Sequence, residues 1–118
     1  MITILYLDDN KAWLRTFCQP LREEGHIVIE ESDGEKGLEA LAKDVTINII
    51  FSDYRMPSMD GYVFSREIKT NPKYARHANV PIVGVGDFPS NEQEFLVKCM
   101  PKPFTSKDLI ACIQEYCK

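Results

Sequence analysis

The chain has 118 residues, 44% of them hydrophobic and 27% charged, with a formal charge of −4. This suits one compact domain that can bury a core without disulfides or a structural metal. It argues against nucleic acid as the domain's main partner, because phosphate backbones call for Lys/Arg-rich surfaces. No segment is long and apolar enough to span a bilayer. Asp8 and Asp9 interrupt the first apolar run too early for a signal peptide.

That first run, residues 2–7, reads as a strand and stops at Asp8-Asp9-Asn10. Asn10 can cap the helix that follows. There Leu14, Phe17, Cys18 and Leu21 fall at i, i+3, i+4 and i+7 as one apolar stripe. Pro20 is expected to kink or shorten that helix's last turn, and Gly25 to stop it. Residues 26–30 read as a second strand. Ser32 or Asp33 can cap a second helix, with Leu38, Leu41, Ala42 and Val45 as its stripe. The strongest strand, residues 47–52, ends at Asp53. A turn-rich stretch follows, and Asp60 can cap a third helix that ends near Asn71-Pro72. Residues 81–85 form a fourth strand and residues 96–100 a short fifth. Thr105 and Asp108 make a capping box, opening a last helix with Leu109, Cys112, Ile113 and Tyr116 as its stripe.

Of the four cysteines, Cys18, Cys99 and Cys112 sit among apolar residues and read as core thiols, while Cys117 near the end is expected to be exposed. None has metal-ligand spacing, and the usage fits a reducing cytosol. There are no internal repeats or linkers, so residues 1–118 read as one domain.

Strand–helix alternation with mostly continuous apolar strands implies an α/β fold, a doubly wound parallel sheet covered on both faces. Right-handed crossovers put every strand's C-terminal end on one edge, where such sheets bind ligands. The polar residues fall at that edge. Asp8 and Asp9 end the first strand and Asp53 the third, so three carboxylates converge. Like charges this close raise each other's proton affinity unless neutralised. A divalent cation such as magnesium takes carboxylate and carbonyl oxygens and leaves positions open for phosphoryl oxygens. Lys102, between Pro101 and Pro103, ends the fifth strand and can neutralise a bound phosphoryl group. An Asp carboxylate is a competent nucleophile toward phosphorus, giving an acyl phosphate. Each feature alone has an ordinary reading, as a turn, a cap or a solvated lysine. The combination, from three strand ends, points to a site.

At these residues the whole chain resembles the receiver domain of two-component response regulators. The matching motifs are Ile4-Leu5-Tyr6-Leu7-Asp8-Asp9, Ile50-Phe51-Ser52-Asp53-Tyr54-Arg55-Met56-Pro57, Met59-Asp60-Gly61, Pro81-Ile82-Val83 and Lys102-Pro103-Phe104. The resemblance implies a CheY-like, flavodoxin-like sheet of five parallel strands in the order 2-1-3-4-5. It implies that Asp53 accepts a phosphoryl group from a phosphohistidine of a sensor histidine kinase or phosphotransfer protein. It implies Asp9 as a direct magnesium ligand, Asp8 acting through water, and the backbone carbonyl of Arg55 as a further ligand. Lys102 would contact the phosphoryl group, and the Lys102-Pro103 peptide would be cis.

Two departures stand out. The family's Thr or Ser after the fourth strand is Gly86 here, and its Tyr or Phe three places before the lysine is Cys99. Both halves of the usual switch are missing. Residues 86–102 are also few, so the fourth helix should shrink to about a turn. Coupling is therefore expected through the loops after Asp53 and Gly86. Arg55 and Phe88 flank the expected site, either as obstacles to hydrolytic water or as an exposed arginine and a packing phenylalanine.

The reading is a cytoplasmic, magnesium-dependent phosphoacceptor domain, not an enzyme, that signals to a downstream protein partner. It binds neither nucleic acid nor membrane. The domain is expected to be either free-standing or cut from a longer regulator; if these 118 residues are the whole protein, output is expected through protein contacts or phosphorelay. One competing reading is a degenerate receiver that acts as a phosphorylation-independent interaction module. The other is an Asp-nucleophile phosphohydrolase. Those enzymes usually carry a second Asp two residues on as general acid, where this chain has Arg55.

Overall fold

The structure is a computed structural model that describes residues 1–44 and 46–117. Five parallel strands lie in the order β2-β1-β3-β4-β5. They are β1 (Thr3–Leu7), β2 (Ile27–Glu31), β3 (Ile47–Ser52), β4 (Ile82–Gly84) and β5 (Lys98–Cys99). The helices are α1 (Lys11–Glu23), α2 (Gly34–Lys43), α3 (Gly61–Thr70) and α4 (Ser106–Tyr116). The doubly wound sheet and its strand order are as expected.

The caps follow the sequence. Asn10, Asp33, Asp60 and Thr105 each accept backbone N–H bonds at the start of their helices, and Thr105 with Asp108 completes a capping box. Helix α1 runs three residues past Pro20, so the proline does not end it. The stop comes at Gly25, whose φ of 92° suits glycine better than any residue with a side chain.

Two apolar layers sandwich the sheet. On one face, Leu14, Phe17, Cys18 and Leu21 of α1 and Leu109, Cys112 and Ile113 of α4 pack on Ile4, Tyr6, Ile49 and Phe51. On the other, Leu38, Leu41, Phe64 and Ile68 pack on Leu5, Leu7, Ile50 and Ile82.

Three expectations need correcting. Strand β5 is only Lys98–Cys99, shorter than residues 96–100, and Lys102 lies beyond its end: Leu96 N is taken up by a turn bond to Gln93 O, although Val97 N and Met100 N still donate to Ile82 O and Gly84 O of the neighbouring strand. Ala42 is exposed, and α2 buries Gly34, Gly37, Leu38 and Leu41 instead; Val45 lies outside the described residues. The helix lies close because Met59 presses on Gly34 and Leu7 on Gly37: an added Cβ would meet them at 2.4 and 2.6 Å. Cys99 is half-buried rather than a core thiol, as is Cys117, whereas Cys18 and Cys112 are buried.

The fourth connection is reduced as expected, to a single 3-10 turn at Ser90–Glu92. No helix among the described residues is long and apolar enough to cross a membrane.

Candidate functional site

The parallel ladder continues one residue past the strands and forms the floor of the site. Asp8 N donates to Glu31 O at 3.2 Å, Asp53 N to Leu7 O at 2.9 Å and Val85 N to Ser52 O at 2.9 Å. Asp8 and Asp53 are thereby held side by side at the C-terminal edge. They are 1% and 7% exposed, while Asp9 is open to solvent. One carboxylate oxygen from each of Asp8, Asp9 and Asp53 lies within 4.8 Å of the others. The turn that begins α1 also orients Asp8, whose Oδ1 accepts from Asn10 N at 2.9 Å.

Lys102, whose peptide bond to Pro103 is cis, also reaches this edge. Its Nζ lies 3.4 Å from both Asp8 Oδ2 and Asp53 Oδ2. These contacts are long for charge-assisted hydrogen bonds, so the ammonium acts as a shared counter-ion. Burial and the neighbouring Asp8 charge push the Asp53 carboxyl up to about 6, against the pull of Lys102 and the Tyr54 N–H. Burial favours the neutral amine of Lys102, but Asp53 and Asp8 outweigh it and hold the ammonium above its usual range.

One ammonium cannot neutralise three carboxylates. The hard oxygen donors, with Asp9 open to water, fit a small divalent cation. The Arg55 side chain is exposed on the loop that follows Asp53.

The other half of the edge is built differently. A Cβ added to Gly86 would lie 2.3 Å from Asp53 Oδ1, the oxygen that also accepts from Tyr54 N at 2.8 Å. The Asp53 carboxylate thus leans into the space that a side chain at position 86 would need. Cys99 Sγ lies 3.4 Å from Gly86 O, so the two atypical positions touch each other. Burial pushes the Cys99 thiol up, which keeps it a weak protonated donor.

Phe88 is 6% exposed and fills space left by two glycines. A Cβ on Gly61 or Gly84 would meet its ring at 2.5 or 2.9 Å. The ring meets Tyr54 edge-on, with centroids 5.1 Å apart. Phe88 is therefore a packing residue and not an obstacle to water. The Tyr54 hydroxyl donates to Glu92 Oε2 at 2.7 Å and the Tyr62 hydroxyl to Glu94 Oε1 at 2.8 Å. These bonds pin residues 86–96 to α3 and to the loop after Asp53.

Of the residues singled out from sequence at the acidic edge, Asp8, Asp9, Asp53 and Lys102 meet here. Sequence reasoning passed over Tyr54, Glu92 and Trp13, which lie off the apolar stripes. The one available signal was an aromatic directly after Asp53 and another four residues after Asp9.

Residues 4–114 match the family described as the response regulator receiver domain. Protein PilG of Pseudomonas aeruginosa is 29% identical over 121 residues, which takes in 98% of this chain and 87% of that protein. The sensor histidine kinase CheAY and the chemotaxis protein CheV3, both of Helicobacter pylori, are each 35% identical. Their matches take in 70% and 61% of this chain, but only 10% and 26% of those longer proteins. Among solved structures, the chemotaxis response regulator CheY4 of Vibrio cholerae superposes with a TM-score of 0.85 at 23% identity, covering 98% of both chains. The receiver domain of a Pseudomonas aeruginosa sensor histidine kinase, solved with magnesium in its active-site cleft, gives 0.83 at 23%, covering 98% of this chain and 96% of that one. The chain belongs to the response regulator receiver domain family of two-component signalling proteins.

Proposed function

We propose that residues 1–118 form one receiver domain in which Asp53 accepts a phosphoryl group from a phosphohistidine of a sensor histidine kinase or phosphotransfer protein. The observation that carries this is the meeting of Asp8, Asp9, Asp53 and Lys102 at one sheet edge, with Lys102 Nζ 3.4 Å from both buried carboxylates. Asp8, Asp9, Asp53 and the Arg55 carbonyl would hold magnesium, which would supply positive charge for the transferring oxygens. An Asp53 oxygen forms the new O–P bond as the donor's N–P bond breaks, and the imidazole nitrogen leaves with its electron pair. Tyr54 N and the backbone ladder orient the carboxylate, while Lys102 shifts from sharing two carboxylates to meeting the added phosphoryl charge.

Arg55 is exposed and free to cover the acyl phosphate, so its replacement by Asn should shorten the phosphoryl lifetime. The output is a change in protein contacts. Gly86 has no hydroxyl and Cys99 no ring, so the new charge acts on Tyr54 and the pinned segment 86–96 instead. A phosphate analogue should then shift the NMR signals of Gly86 to Pro89. Unchanged signals there would sink this route.

The test of the main reading is incubation with magnesium and acetyl phosphate, followed by intact mass. One added phosphoryl group is expected, absent with EDTA and absent in Asp53→Asn. The crowding of Gly86 by Asp53 favours a second reading, an interaction module that is never phosphorylated. No mass gain by the unmodified chain would favour it.

A further inference from the structure

We infer that Trp13 is a positioning residue for Lys102, holding the ammonium at the phosphoryl site through the face of its indole. The inference rests on the phosphoacceptor reading above and assigns a residue that reading does not use.

Trp13 sits in the first turn of α1, just beyond the buried stripe, and is 37% exposed. Its place is set by two neighbours. The indole stacks on Phe17, one turn on, with centroids 5.3 Å apart and planes 4° from parallel. Lys102 Nζ stands 5.4 Å from the indole centroid, within cation–π range. Phe17 carries a second partner, Phe104, at 4.5 Å. Two residues of the segment after β5, Lys102 and Phe104, therefore engage an i, i+4 aromatic pair on α1. Phe17 is buried, so the outer ring of the stack is a platform that rests on a packed side chain.

A lysine needs such a platform at this site. Its four-carbon stem is flexible, and its ammonium is a compact charge with no preferred orientation. Without other ions, Asp8 and Asp53 attract it from one side. Any cation that neutralises those carboxylates weakens that attraction. The indole carries no net charge and does not compete for a metal, so its hold on the ammonium persists once the carboxylates are neutralised. The platform thus keeps Lys102 in place when the phosphoryl group arrives.

Trp13 is the only tryptophan in the chain, so emission excited at the red edge of indole absorption, where the five tyrosines do not absorb, reports it alone. The test compares the unmodified chain with Trp13→Leu, Trp13→Phe and Lys102→Met. Phosphoryl uptake from acetyl phosphate with magnesium is followed by intact mass, beside emission spectra and melting curves. Trp13→Leu should slow uptake about two- to fivefold, the size of a partly exposed cation–π contact. Trp13→Phe, which keeps a π face, should stay within about twofold. Lys102→Met should change the emission, because the charge over the ring is gone. Uptake by Trp13→Leu at the unmodified rate overturns the role, as does emission indifferent to Lys102→Met. An equal loss in the Leu and Phe variants with lowered melting points marks a merely structural residue and also overturns it. No uptake by the unmodified chain removes the phosphoacceptor reading and this role with it. Uptake that ignores Trp13 removes this role alone.

Discussion

The two halves of the sheet's C-terminal edge reach order by different means. At the acidic half, backbone ladder bonds place Asp8 and Asp53, and charges do the rest. At the other half, from Gly86 to Cys99, side-chain packing sets the structure. Asp53 crowds Gly86, Cys99 touches the Gly86 carbonyl, and Phe88 fills the space beside Gly61 and Gly84. The departures from the family pattern are therefore not simple deletions. The Asp53 carboxylate takes the space a side chain at position 86 would need, and Asp53 and Tyr54 bind the second half to the first.

The difference can be sharpened experimentally. Phe88→Ala removes the ring that fills the second half and should cost about 3–5 kcal/mol by chemical denaturation. Phosphoryl uptake below the unfolding transition should persist, since no acidic-edge contact is lost. Loss of uptake in folded protein would break the separation.

Asp53→Asn tests the charge-built half. Burial and Asp8 raise this carboxyl from its ordinary 3.8 to about 6, so the folded state binds the proton more tightly than the unfolded chain. Stability is thus lost as pH rises from about 4 to about 6 and stays lost above. In EDTA, Asp53→Asn should be more stable than the unmodified chain by on the order of 2 kcal/mol above pH 6. The gain should vanish near pH 4, and excess magnesium should shrink it. Denaturation at the two pH values checks this, and a gain independent of pH would contradict it.

Gly86→Ser joins the halves. Restoring the family's hydroxyl should not restore its switch, because the new Cβ meets Asp53 Oδ1 at 2.3 Å. We expect a loss of about 1–3 kcal/mol from overpacking and slower uptake as the nucleophile is displaced. Faster uptake than the unmodified chain would show that the carboxylate has another resting place. The smallest effect belongs to Tyr54→Phe. It removes the hydroxyl bond to Glu92 and should leave uptake unchanged, while the NMR response of residues 86–96 to a phosphate analogue weakens.

The sequence by itself determined the elements, their caps, the strand order through family resemblance, and the convergence of Asp8, Asp9, Asp53 and Lys102. These follow from period, punctuation and the rule that parallel strands end on one edge, all of which are local or topological. It also showed Gly86, Cys99 and the shrunken fourth connection as gaps. Only the tertiary structure decided what filled them. It put the Asp53 carboxylate over Gly86, Phe88 between two glycines, the Tyr54 hydroxyl on Glu92, and Trp13 under Lys102. It likewise traded Ala42 for Gly34 and Gly37 on the buried face of α2. The physical reason is the same in each case. Contacts between distant residues depend on the relative placement of packed elements to within an ångström, and a glycine shows in sequence only as the absence of a side chain, never as the space another residue will take.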